Sequence, residues 1–101
     1  MTKIEVAMKL SKLEEYLIPR SVEIGFQNTY RFPNDYGASL IYTPMSYGLE
    51  LAVLDFNHAP ECRITYDTSI TDDVLENLSW EETVKVLEKI KELPNKEVED
   101  E

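Results

Sequence analysis

The sequence predicts an α+β fold, with an N-terminal helix, an antiparallel meander of three strands and a C-terminal helix. Three observations predict it. Apolar residues recur at helical spacing near the N-terminus and again from Trp80 to Leu93. Between them, residues 33–73 hold three short apolar-rich runs divided by Pro, Gly, Asn and Asp. The chain has 101 residues, enough for one core, so these elements share a single domain over residues 1–93 with an acidic tail at 94–101.

Thr2-Lys3-Ile4-Glu5 is a capping-box pattern that opens the first helix. Val6, Leu10, Leu13 and Leu17 follow at i, i+4, i+7 and i+11, forming one stripe that Ala7 and Tyr16 widen. Pro19 ends the helix near Leu17. Ser21 to Phe26 alternates apolar and polar residues, which suits an edge strand or an extended connection. Residues 27–35 are polar and read as a loop.

The first meander strand is expected over Tyr36–Thr43, the second over Leu49–Phe56 and the third over Cys62–Tyr66. On the second, Leu49, Leu51 and Val53 face one way and Ala52, Leu54 and Phe56 the other, which marks a central strand covered on both faces. Thr71-Asp72-Asp73 has the form of a helix start, with Val74, Leu75 and Leu78 as the apolar contacts of a helical turn. Ser79-Trp80-Glu81-Glu82 is a second capping box. The helix it opens buries a stripe of Trp80, Val84, Leu87, Ile90 and Leu93 and stops at Pro94.

Charge is the unusual property. Twenty acids against ten bases give a net charge of −10. Residues 1–35 balance five of each. Residues 36–67 hold four acids and one base, and residues 68–101 hold eleven acids and four bases. A field of this sign repels nucleic acid and anionic membrane and attracts basic surfaces. The longest apolar run is four residues, Leu51 to Leu54, and no targeting pattern is visible, so a soluble, cytoplasmic protein is expected. The single cysteine, Cys62, rules out an intramolecular disulfide and a cysteine-built zinc site.

Candidate chemistry is sparse. His58 and Cys62 form H-x-x-x-C, but no other His or Cys is present to complete a metal site, and no orienting group or oxyanion donors of recognisable spacing stand nearby to support a nucleophile pair. The alternative is a turn histidine and a strand cysteine acting as a small apolar side chain. Three glycines cannot build a phosphate-cradling loop. Asp67, Asp72 and Asp73 could gather around a divalent cation or small ligand, or serve as turn and cap residues. Tyr36, Tyr47 and Tyr66 suit either core packing or an interface. The acidic C-terminal segment is either a solubilising face or a patch in which carboxylates stand in for phosphates before a basic groove.

The order YGAS (residues 36–39), SYG (46–48), ELAVL (50–54), Cys62 and YDTSITDDV (66–74) resembles a group of small uncharacterised bacteriophage proteins. Their pattern has a glycine pair where Gly48 stands alone here and a proline where this chain has Ser69. The resemblance spans residues 33 to about 93 and implies a phage origin and an accessory role in the host cell. The expectation is therefore a non-enzymatic protein without a cofactor that binds a host protein with a basic surface. The candidate contacts are Tyr36, Tyr47, Tyr66, Asp67, Asp72, Asp73, Glu81 and Glu82. Self-pairing through the 21–26 segment or the third strand is a further expectation.

Overall fold

The computed structural model describes residues 1–19, 26–42, 48–57, 62–66, 68–71 and 74–94. Helix α1 spans Lys3–Leu13 and continues as one 3-10 turn, Glu14–Tyr16. Six strands follow: β1 Leu17–Pro19, β2 Phe26–Arg31, β3 Tyr36–Tyr42, β4 Leu49–Asp55, β5 Arg63–Ile64 and β6 Leu75–Leu78. Helix α2, Trp80–Lys91, comes last. All pairings are antiparallel. The sheet runs β1-β2-β3-β4-β5, and β6 pairs with β4 at the end opposite to β5. The α+β class, the two helices and the antiparallel sheet are as the sequence predicts.

Register explains the core. Leu17, Tyr30, Ala38 and Val53 align across β1 to β4, and Asn28, Leu40, Leu51 and Leu75 form the neighbouring row. Val84, Leu87 and Ile90 of α2 are fully buried, and the latter two join the strand residues in one core cluster with Leu13, Phe32 and Tyr36. A helix that offers aliphatic residues at i, i+3 and i+6 fits the pleated rows beneath it. Ala52 and Leu54 of β4, and Phe56 just after it, are also buried, so the central strand is covered on both faces.

Three expectations are corrected. First, helix α1 ends at Leu13, and Leu17 belongs to a strand paired with Tyr30. Second, residues 26–31, expected to be loop but for Phe26, form β2 and pair with β3 over six consecutive positions. Third, residues 75–78 form a strand, not a helical turn.

The third correction has a clear cause. Leu75 opposes Leu51 and Leu78 opposes Leu49, so three steps on β6 match two on β4. This is a bulge. Asn77 absorbs it with φ +56, a left-handed conformation that asparagine tolerates better than most residues. The extra residue lets Leu75 and Leu78 both pack against the core cluster. Apolar residues three apart then share one face, which imitates helical spacing.

The β2–β3 turn joins the sheet to α2. Asp35 N–H donates to Phe32 O at 3.1 Å, and Asp35 itself lies at φ +63. The turn holds Asn34 where its Nδ2 donates to the carbonyls of Ile90 (2.8 Å), Lys91 (3.1 Å) and Leu93 (2.9 Å). Its Oδ1 accepts from Tyr36 N–H at 3.0 Å. One side chain thus shares its two N–H donors among three carbonyls at the end of α2, where Ile90 O also accepts from Leu93 N–H at 3.1 Å. Nearby, Arg31 sits 5.1 Å above the Phe56 ring and pairs with Asp35 at 3.1 Å.

Candidate interaction surface

Of the eight predicted contact residues, Tyr36, Tyr66, Glu81 and Glu82 are among the described ones. Tyr36 is only 6% exposed and lies in the core cluster, which removes it as an exposed anchor. Its place follows from register, since it is on the same face as Ala38 and Leu40. Tyr66 is 47% exposed. Tyr47, Asp67, Asp72 and Asp73 lie outside the described residues, as does His58, and so do the ligand and metal sites built on them. Cys62 is exposed. Among the described residues, no group of three His, Cys, Asp or Glu side chains could hold a metal ion.

Glu81 and Glu82 have structural duties. The Glu82 carboxylate accepts from Ser79 N–H, and Glu82 N–H donates to Ser79 Oγ, both at 3.1 Å. These bonds stabilise the ionised form and hold the carboxyl below the usual glutamate range. Glu81 is also lowered, by its hydrogen bond to the N-terminal ammonium and then by that group's charge. The ammonium lies 3.0 Å away and ties the start of α1 to the start of α2. A second tie, Lys9 to Glu88 at 3.3 Å, joins the helices further along.

The acidity is less concentrated on α2 than its sequence position suggests. Over residues 80–92, four glutamates face three lysines. The larger excess sits at Asp72, Asp73 and residues 95–101. Exposed carboxylates among the described residues of this third include Glu76, Glu82 and Glu92.

The apolar surface near Trp80 is a feature the sequence reading missed. Trp80 was expected in the buried stripe but is 44% exposed. It is the first helical residue after the Ser79 cap, so its ring projects beyond the turns of α2 that lie on the sheet. Two hollows adjoin it. One, of about 450 Å³, is lined by Lys3, Val6, Ala7, Leu10, Trp80 and Glu81. The other, of about 510 Å³, is lined by Tyr42, Gly48, Leu49, Leu78, Ser79 and Trp80.

Further along α1, Ile4 is 74% and Met8 56% exposed. Their i, i+4 spacing, off the Val6–Leu10–Leu13 stripe, was a legible sign of a second apolar face. No helix among the described residues is long and apolar enough to cross a membrane. Comparison with protein-family models, curated proteins and solved structures finds no match.

Proposed function

We propose that this chain is a non-enzymatic acidic accessory protein of a bacteriophage, acting in the host cytoplasm by binding a host protein with a basic surface. The displacement of acid toward the C-terminal third carries this reading: residues 68–101 contribute seven of the ten net negative charges. Long-range attraction of that kind raises the rate of encounter with a basic partner and selects against acidic ones. In this reading, carboxylates of residues 68–101 stand in for the phosphates of a nucleic acid. Exposed Tyr66 adds an aromatic contact at the edge of the same third of the chain.

The test is affinity capture from lysate of the host bacterium, with the chain as bait, at low and at high salt. A specific partner retained at low salt, released as salt rises and displaced by duplex DNA supports the reading. Capture of that partner should weaken in a Glu76→Lys, Glu92→Lys double variant. An empty capture at low salt, or a partner whose retention ignores both salt and DNA, would overturn it.

A further inference from the structure

We propose that the acidic segment after α2, residues 95–101, docks within its own chain on a lysine-lined hollow between the ends of α1 and α2. The two helices run side by side in one direction: the N-terminal ammonium meets Glu81 at 3.0 Å, and Lys9 meets Glu88 at 3.3 Å. Their C-terminal ends therefore lie together. Between them is a hollow of about 410 Å³, lined by Lys9, Lys12, Leu13, Glu88, Lys91 and Glu92. Lys9 and Glu88 neutralise one another there. Lys12 and Lys91 are exposed, and among the described residues neither makes an ion pair. The Lys91 ammonium rests 5.2 Å from the centre of the Tyr16 ring. Two ammonium groups thus stand against one carboxylate, Glu92.

Position and charge point to residues 95–101 as the occupant. The segment follows Pro94, three residues beyond Lys91, so it leaves α2 at the end where the hollow lies. It holds Glu97, Glu99, Asp100 and Glu101 against Lys96, a net charge of −3. The six steps from Lys91 to Glu97 span at most about 20 Å when extended. Packed helices lie about 8–10 Å apart, so the carboxylates can cross from α2 to Lys12 on α1.

Tethering favours this segment over a separate acidic partner. A segment joined to its site by a short linker meets it at an effective concentration in the millimolar range. A few individually weak surface ion pairs then suffice. The net charge of −10 meanwhile repels acidic molecules in solution. The docked segment keeps its carboxylates paired within the chain until salt or a stronger basic surface displaces them. The contact does not rest on the host-partner reading above, because both of its halves belong to one chain.

Zero-length carbodiimide cross-linking of the full chain, read by mass spectrometry, tests the proposal. Mixing heavy- and light-isotope chains separates links within a chain from links between chains. The expected links run within the chain from residues 97–101 to Lys12, several-fold more often than to Lys89. Lys89 is exposed and nearer in sequence but lies outside the hollow. Salt at about 1 M, where the screening length falls to about 3 Å, should lower the Lys12 links several-fold. Replacing all four acids together, Glu97→Gln, Glu99→Gln, Asp100→Asn and Glu101→Gln, should shift the amide NMR signals of Lys12 and Leu13. Those two residues are more than 80 positions away in sequence. Absent links, links between chains only, or links shared evenly by Lys12 and Lys89 would each overturn the proposal. So would Lys12 links indifferent to salt, or Lys12 and Leu13 signals indifferent to the four substitutions.

Discussion

Helices α1 and α2 begin alike and end in different surroundings. Each opens on a hydroxyl residue three positions before a glutamate, and each carries an aliphatic stripe. Yet α2 buries Thr83, Val84, Leu87 and Ile90, whereas α1 buries only Leu13. Helix α2 lies on β3 and β4, the centre of the sheet, while α1 leans on α2. Amphipathic spacing therefore identifies which face of a helix is covered but not how deeply. Depth depends on whether the covering partner is a sheet or the flank of another helix, and that is a property of the assembled fold.

The most severe way to challenge this contrast is truncation in the two stripes. Leu87→Ala removes a fully buried side chain between α2 and the sheet and should cost about 2–5 kcal/mol. For a domain whose total stability is about 5–15 kcal/mol, that is a large fraction. Val6→Ala in the equivalent stripe of α1 is half-buried and should cost less than about 1 kcal/mol. Urea unfolding of both variants is the measurement. Equal losses would show that α1 contributes to the core as deeply as α2.

Asn34 probes how α2 is anchored. Asn34→Ala withdraws the amide from three carbonyls at the end of α2, of which Ile90 O keeps its bond from Leu93 N–H, and should cost about 1–3 kcal/mol. Asn34→Asp keeps the acceptor for Tyr36 N–H but sets a negative charge beside those carbonyls, the negative pole of the helix. It should be at least as destabilising as alanine. If thermal melts show aspartate to be tolerated and alanine not, the acceptor rather than the donor fixes the turn. At the end of α1, the cap is the backbone N–H of Glu14, which donates to Ser11 O.

Much of the architecture was legible because local signals agreed with one another. Both caps, β3, β4 and α2 stand within one or two residues of where spacing and turn chemistry put them. Strand β2 was hidden because Asn28 occupies an inward position among Gln27, Thr29 and Arg31, which breaks the alternation. Tyr30, two residues on, is buried, and its phenol is pushed above the usual range mainly by loss of solvent. Strand β6 was hidden by its bulge. The interaction surface was less legible still. Tyr36 and Tyr66 look alike in sequence, and only register sends one inward and leaves the other exposed. Trp80 fits the α2 stripe by spacing, and its exposure comes from sitting one residue after the cap.

The two caps give a finer test. Ser79→Ala dismantles a reciprocal capping box on a helix that the core depends on, and should lower global stability by about 1 kcal/mol. At α1, Thr2 Oγ1 accepts from Glu5 N–H at 3.1 Å, and the Glu5 carboxylate accepts from that hydroxyl at 3.3 Å. Thr2→Ala should chiefly speed amide exchange in the first turn of α1 and change global stability by a few tenths of a kcal/mol at most. A global loss as large as that of Ser79→Ala would mean that α1 cannot fray without unfolding the domain.

The smallest effect is the dependence of the α2 cap on pH. Glu82 is held below its ordinary pKa, first by the hydrogen bond from Ser79 N–H and then by the Ser79 side chain. A depressed folded-state pKa means that the unfolded chain binds the proton more readily. The contribution of Glu82 is thus fully present above the ordinary glutamate pKa and is lost as pH falls through the folded-state value. The stability difference between wild type and Glu82→Gln should be constant near neutrality and shrink in acid. Urea midpoints measured from neutral to acidic pH will show this. A difference that persists unchanged in acid would mean that glutamine fails at this position for a reason other than charge, and that the cap of α2 is held by shape rather than by its ionised carboxylate.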